Sequence, residues 1–159
     1  MNDDEIFCLK IQLRVGLIQP KQIQRCLNKR FLKNYTDQLL LEMSFIRREL
    51  DLKKFIYNLV DNSLNREQIA LKIFKKYFYK KMPRELDENL DIHIENLKFI
   101  ADYLVNFNEL RNEPFLSSYI TAFDDQITEA SFGNIGMWPK EAYSELYRYL
   151  QNWIQSIVE

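Results

Sequence analysis

Glycine is nearly absent from this 159-residue chain, with Gly16, Gly133 and Gly136 the full complement. Tight β-hairpins need residues that take positive φ cheaply, so the scarcity disfavours sheets and favours helices. Histidine is scarcer still, being represented by His93 alone. Metal sites in helical bundles use ligand pairs three or four apart, and a nucleophile–base device would have to be built on this single ring. No secretory leader is expected ahead of Cys8 and Cys26, which therefore read as free, buried thiols, although a bridge stays open on sequence alone. No apolar run approaches the about 20 residues that cross a bilayer. Asp3, Asp4 and Glu5 stand where a signal peptide would carry positive charge, so the expected location is cytoplasmic, with no membrane partner.

What is present is an ordinary globular composition. The 47% hydrophobic and 28% charged residues exclude a disordered chain and suit one helical domain over residues 1–159. Charge is unevenly placed. Residues 1–81 hold 17 Lys and Arg against 9 Asp and Glu, a basic half at +8, and residues 82–159 hold 5 against 14, an acidic half at −9. Such a split means either two surfaces of opposite sign or two halves that neutralise each other.

Apolar residues recur at helical spacing almost throughout, punctuated by capping chemistry. Asp3 or Asp4 caps a first helix carrying Ile6, Leu9 and Leu13, which Gly16 ends in a left-handed cap. Pro20 opens a second with Ile23, Cys26, Leu27 and Phe31. Thr36 caps a third with Leu39, Leu40, Met43 and Ile46. Asp51 caps a fourth whose buried stripe is Leu52, Phe55, Ile56, Leu59 and Val60. Asn65 and Gln68 have the spacing of a capping box for a fifth helix, ending near Lys81 before Pro83. A sixth runs from Leu90 to Phe107, a short seventh starts at Pro114, residues 131–136 form a loop, and Pro139 opens the last, with Ala142, Leu146, Leu150, Trp153 and Ile157 on one stripe. The expected fold is all-α, a single-domain irregular bundle of about eight helices arranged as stacked antiparallel hairpins.

The search for chemistry yields little. Asp91, His93 and Glu95 lie two apart, so on a helix they diverge by some 200° and cannot share an ion. No glycine-flanked nucleophile or phosphate loop is present. The expectation is a non-enzyme with no catalytic residue, no metal and no cofactor. Two candidate surfaces remain. The first is acidic and aromatic: Asp124, Asp125, Glu129, Glu141 and Glu145 stand among Phe132, Trp138 and Tyr143, with Tyr119, Phe123, Met137 and Tyr147 nearby. Aromatic anchors rimmed by one sign of charge serve protein interfaces, and the competing reading has these rings closing the core beneath a loop. The second is the face of Lys72, Lys75, Lys76, Tyr79 and Lys80, which suits nucleic-acid phosphates with one stacking ring, or else is simply a solvated lysine face.

Residues 13–23, LRVGLIQPKQI, and LLLEMSFI from Leu39 resemble the start of an uncharacterised bacterial family associated with immunity to delivered toxins, including those of contact-dependent growth inhibition. The resemblance covers about the first third of the chain and transfers no functional residue. It implies a cytoplasmic immunity protein that binds a cognate toxin domain, often a nuclease with a basic active site. The alternative is a nucleic-acid-binding regulator, and a homodimer is also compatible with the acidic surface.

Overall fold

The structure, a computed structural model, describes residues 1–31, 36–106 and 115–157, the side chain of Phe31 excepted. Among them are eight α-helices and no strand: α1 (Asp3–Arg14), α2 (Pro20–Phe31), α3 (Gln38–Phe45), α4 (Glu49–Asn58), α5 (Arg66–Lys81), α6 (Leu90–Ala101), α7 (Leu116–Ser131) and α8 (Pro139–Ser156). The chain is an all-α bundle that divides into two compact units, Met1–Ile69 and Ala70–Glu159. The division falls inside α5 and not at the change of charge after Lys81.

The first unit closes around Leu13, Ile23, Leu27, Leu40, Met43, Leu52 and Ile56. In it α2 packs on α3 and α4, and α1 packs on α4. Asn2, and not Asp3 or Asp4, caps α1: its side chain accepts from the Glu5 amide at 2.8 Å while the Glu5 carboxylate accepts from the Asn2 amide at 3.1 Å. Asp4 is drawn into a tertiary contact instead, accepting from Ser63 Oγ at 2.6 Å and from Asn65 Nδ2 at 2.8 Å. Two residues with capping chemistry, Asp4 and Asn65, are thus joined to each other across 61 positions. Gly16 (φ +71°) ends α1 as expected, with Leu17 N–H donating to Gln12 O at 2.9 Å and Gly16 N–H to Leu13 O at 3.4 Å. That pair of bonds is a Schellman motif.

Three further caps depart from expectation. Asp37, not Thr36, caps α3 by accepting from the Leu40 amide. Helix α4 begins at Glu49, ahead of Asp51, whose carboxylate accepts from Arg48 Nε at 2.6 Å. It ends at Asn58, because Leu59 turns extended (φ −62°, ψ 135°), and this throws Val60 out of the buried stripe to 77% exposure. Cys26 is exposed and Cys8 only half-buried, both as free thiols. The buried stripe of α2 is Ile23 and Leu27, four apart, and Cys26 lies about 100° to one side of Leu27.

In the second unit α7 packs on both α6 and α8. Phe74 and Phe78 of α5 meet α8 through rings, Phe74 edge-on to Trp153 at 5.4 Å and Phe78 beside Tyr147 at 4.8 Å. Tyr77 of α5 is buried, and its hydroxyl lies 2.9 Å from His93 Nδ1 and accepts from Asn96 Nδ2 at 2.9 Å. The lone histidine is thereby a bonded, half-buried partner of α5. Helix α6 stops at Ala101, where Asp102 bonds back to Lys98 O. It is shorter than expected, and Val105 is exposed. Phe107 and Pro114 lie outside the described residues. Helix α7 runs from Leu116 to Ser131, longer than the short helix expected there.

Candidate functional site

The acidic aromatic surface is built by the junction of α7 and α8. Phe132 is the C-cap of α7, and Gly133 follows at φ +72°, its N–H donating to Ala130 O at 3.1 Å and Asn134 N–H donating to Glu129 O at 3.0 Å. This second Schellman turn reverses the chain. Asn134 Nδ2 also donates to the Glu129 carboxylate at 2.6 Å, bracing the turn. Trp138 is the N-cap of α8, and the Glu141 carboxylate accepts from its amide at 3.0 Å. Tryptophan has no acceptor oxygen to return, so only that half of a capping box exists. Pro139 in the first turn has no N–H to leave unpaired.

Both flanking rings point to solvent: Phe132 and Trp138 are each 75% exposed. Tyr143 is the correction to the expected surface. At 1% exposed it lies inside the core, its hydroxyl donating to Pro83 O, and burial first of all, then the Asp87 charge, pushes its proton affinity far above the usual phenol value. On α8 it shares the buried side with Leu146 and Leu150, whereas Glu141 and Glu145 lie on the outer side. The remaining aromatics divide likewise. Tyr119 and Phe123 both pack on Tyr149, at 4.9 and 5.5 Å, and Tyr147 sits between Phe78 and Tyr143.

The acids are left largely to solvent. Asp124 is the exception, lying 3.8 Å from Lys98 Nζ. Burial is the main influence on its carboxyl and pushes its pKa up; Lys98 opposes this, while Asp91 and Asp125 add to it. Asp125, Glu141 and Glu145 are exposed and form no salt bridge among the described residues, and Glu129 meets only the Asn134 amide. Residues 70–159 carry 14 Asp and Glu against 10 Lys and Arg. Even so, Lys98–Asp124 is their one salt bridge among the described residues, against six in the first unit.

The lysine face lies on α5. Lys72, Lys76, Tyr79 and Lys80 are exposed and Lys75 is half-buried, with Ile73, Phe74 and Tyr77 buried opposite. Tyr79 packs edge-on against Phe78 at 5.3 Å, so its ring is supported from beneath. A cleft of about 260 Å³ between residues 84–86 and α8 is lined by Arg84, Glu85, Lys140, Tyr143 and Ser144. Its charges are mixed, and the Ser144 hydroxyl donates to Lys140 O.

Two features escaped the sequence. The Tyr77–His93–Asn96 cluster joins residues on two helices, and only the i, i+3 spacing of His93 and Asn96 hinted at it. The second is the pairing across the α3–α4 turn of Phe45 (75% exposed) and Leu50 (61%), each two positions from a buried stripe residue, Met43 or Leu52, and so turned outward. Among the described residues no group of three or more His, Cys, Asp and Glu side chains is placed to hold a metal ion, and no helix is long and apolar enough to cross a membrane. Comparison of the chain with protein-family models, with curated proteins and with solved structures finds no match.

Proposed function

We propose that this chain is a protein-binding module whose α7–α8 junction covers a basic surface on another protein, in the manner of an immunity protein that neutralises a cognate toxin domain. One observation carries the reading. Phe132 and Trp138 are exposed at the two ends of a braced turn, and Asp125, Glu141 and Glu145 are exposed on the helices it joins, with no salt bridge among the described residues. Acids of this kind speed encounter with a basic partner, and rings that become buried on contact slow its release. A nuclease toxin domain is the fitting case, because a surface that holds nucleic-acid phosphates is itself basic. Binding requires no catalytic group of this chain.

The test is capture of the partner from native lysate with wild-type protein, with the charge-reversed triple variant Asp125→Lys, Glu141→Lys, Glu145→Lys, and with Trp138→Ala. The wild type should retain a basic protein domain, the triple variant should lose it mainly through slower association, and Trp138→Ala should shorten the residence time about tenfold or more. Undiminished recovery with both variants would remove the site.

A second reading, a nucleic-acid-binding regulator, draws on the exposed Lys72, Lys76, Tyr79 and Lys80 of α5. It predicts retained RNA or DNA that salt releases steeply. Purified protein free of nucleic acid at low ionic strength would dismiss it.

A further inference from the structure

The outer face of α4 has an unusual make-up. Leu50, Lys53, Lys54 and Tyr57 follow at i, i+3, i+4 and i+7, all exposed, with Leu52 and Ile56 buried on the other side. Phe45 and Arg47, ahead of α4, and Val60, after it, are exposed as well. Arg47 and Lys54 enter no ion pair among the described residues, and Lys53 lies over the Tyr57 ring at 5.9 Å. The nearby acids are already engaged, Glu49 with Lys21 at 3.3 Å and Asp51 with Arg48 at 2.6 Å. Along the helix the two exposed apolar residues Leu50 and Tyr57 thus stand about 10 Å apart, with the positive charges of Lys53 and Lys54 between them.

We infer that this face of α4 docks onto the acidic aromatic α7–α8 junction of a second copy of the chain. The complementarity is on both sides: aliphatic and aromatic anchors with lysines on one, Phe132 and Trp138 with unpaired carboxylates on the other. A nucleic acid would leave Leu50 and Val60 with nothing to bury against. An anionic bilayer would favour cations at the edges of an apolar strip, whereas Lys53 and Lys54 stand in the middle of this one. Because the two surfaces differ, the contact is heterologous, one copy contributing α4 and the other the junction. So short a strip gives a weak, reversible association, in the micromolar range or weaker. The contact rests on the exposure and charge of the two faces and not on the antidote reading. Where both hold, self-association occupies the junction and the partner must displace it.

The test is sedimentation velocity of the full chain at low salt over a rising concentration series, with Leu50→Asp and Trp138→Ala, both at exposed positions, checked for folding by circular dichroism. Wild-type protein should gain apparent mass with concentration and lose it in high salt. Each variant alone should associate about tenfold or more weakly. An equimolar mixture should recover association but stop at pairs, since Leu50→Asp retains an intact junction and Trp138→Ala an intact α4 face. A wild-type chain that stays monomeric, variants that associate as wild type does, or a mixture that recovers nothing each overturns the inference. So does binding to vesicles of equal parts phosphatidylcholine and phosphatidylserine that Leu50→Asp abolishes, which would assign the face to a bilayer. Leu50→Asp leaves the junction untouched, so it should lose self-association and still capture the lysate partner, and the two proposals fail separately.

Discussion

Tyr143 and Trp138 stand on either side of the first turn of α8, and only the indole is open to a partner. Replacing Tyr143 with Phe removes the bond to Pro83 O and should lower stability by about 1 kcal/mol, as read by urea denaturation, with no effect on partner capture. Trp138→Ala should do the reverse, changing stability by no more than about 0.5 kcal/mol while weakening binding. Gly133 has its own demand: at φ +72° a side chain meets no neighbouring atom, yet the backbone conformation itself is strained for any L residue. Gly133→Ala should therefore cost about 1–2 kcal/mol. Asp124 carries a carboxyl whose pKa is pushed up mainly by burial, so its charged form is disfavoured in the folded chain despite Lys98. Asp124→Asn should leave the melting temperature at pH 7 unchanged or raise it, and a marked drop would show that the Lys98 pair outweighs burial.

At the scale of the helix, the last stripe holds the second unit together. Trp153 of α8 lies edge-on to Phe74 of α5, and Trp153→Ala should cost about 3–5 kcal/mol by opening a cavity, visible as a lower denaturation midpoint. That stripe was legible in the sequence because Ala142, Leu146, Leu150 and Trp153 repeat at helical spacing with nothing to compete. Gly16 and Pro139 were legible too, each fitting one backbone requirement. The ends of α4 and α6 were not. Propensity says little about which of several acids caps a helix when a distant serine or a neighbouring arginine can claim the same carboxylate, as Ser63 claims Asp4 and Arg48 claims Asp51. For the candidate site, the sequence identified the aromatic and acidic residues together but could not say which rings turn inward. Tyr143 and Trp138 are equally aromatic, and only the helical phase of α8 separates them.

Over the whole chain, the net charge of −1 conceals carboxyl groups whose affinities for a proton are shifted in opposite directions in the two units. In the first unit, bonds from Ser63 and then Asn65 hold the Asp4 carboxyl below its ordinary range, and the bond from the N-terminal ammonium does the same for Asp37. At Glu5, burial pushes upward but is outweighed by the Asn2 amide and Arg30. Groups lowered on folding contribute stability above their unfolded values, near 3.9–4.3, and that contribution is lost as pH falls through the folded ones. Asp124, in the second unit, is raised, so acid favours its folded form. Below about pH 4 the first unit should therefore lose helix before the second. Trp138 and Trp153 both belong to the second, so ellipticity at 222 nm should fall ahead of any change in tryptophan emission, and coincident transitions would contradict this. The division at Ile69 and Ala70 has a practical corollary for anyone dissecting the chain. A cut placed at the charge boundary, after Lys81, would strip the second unit of Phe74, Tyr77 and Phe78, and a cut placed between the units would sever α5 after its first turn, so neither fragment boundary yields two intact pieces.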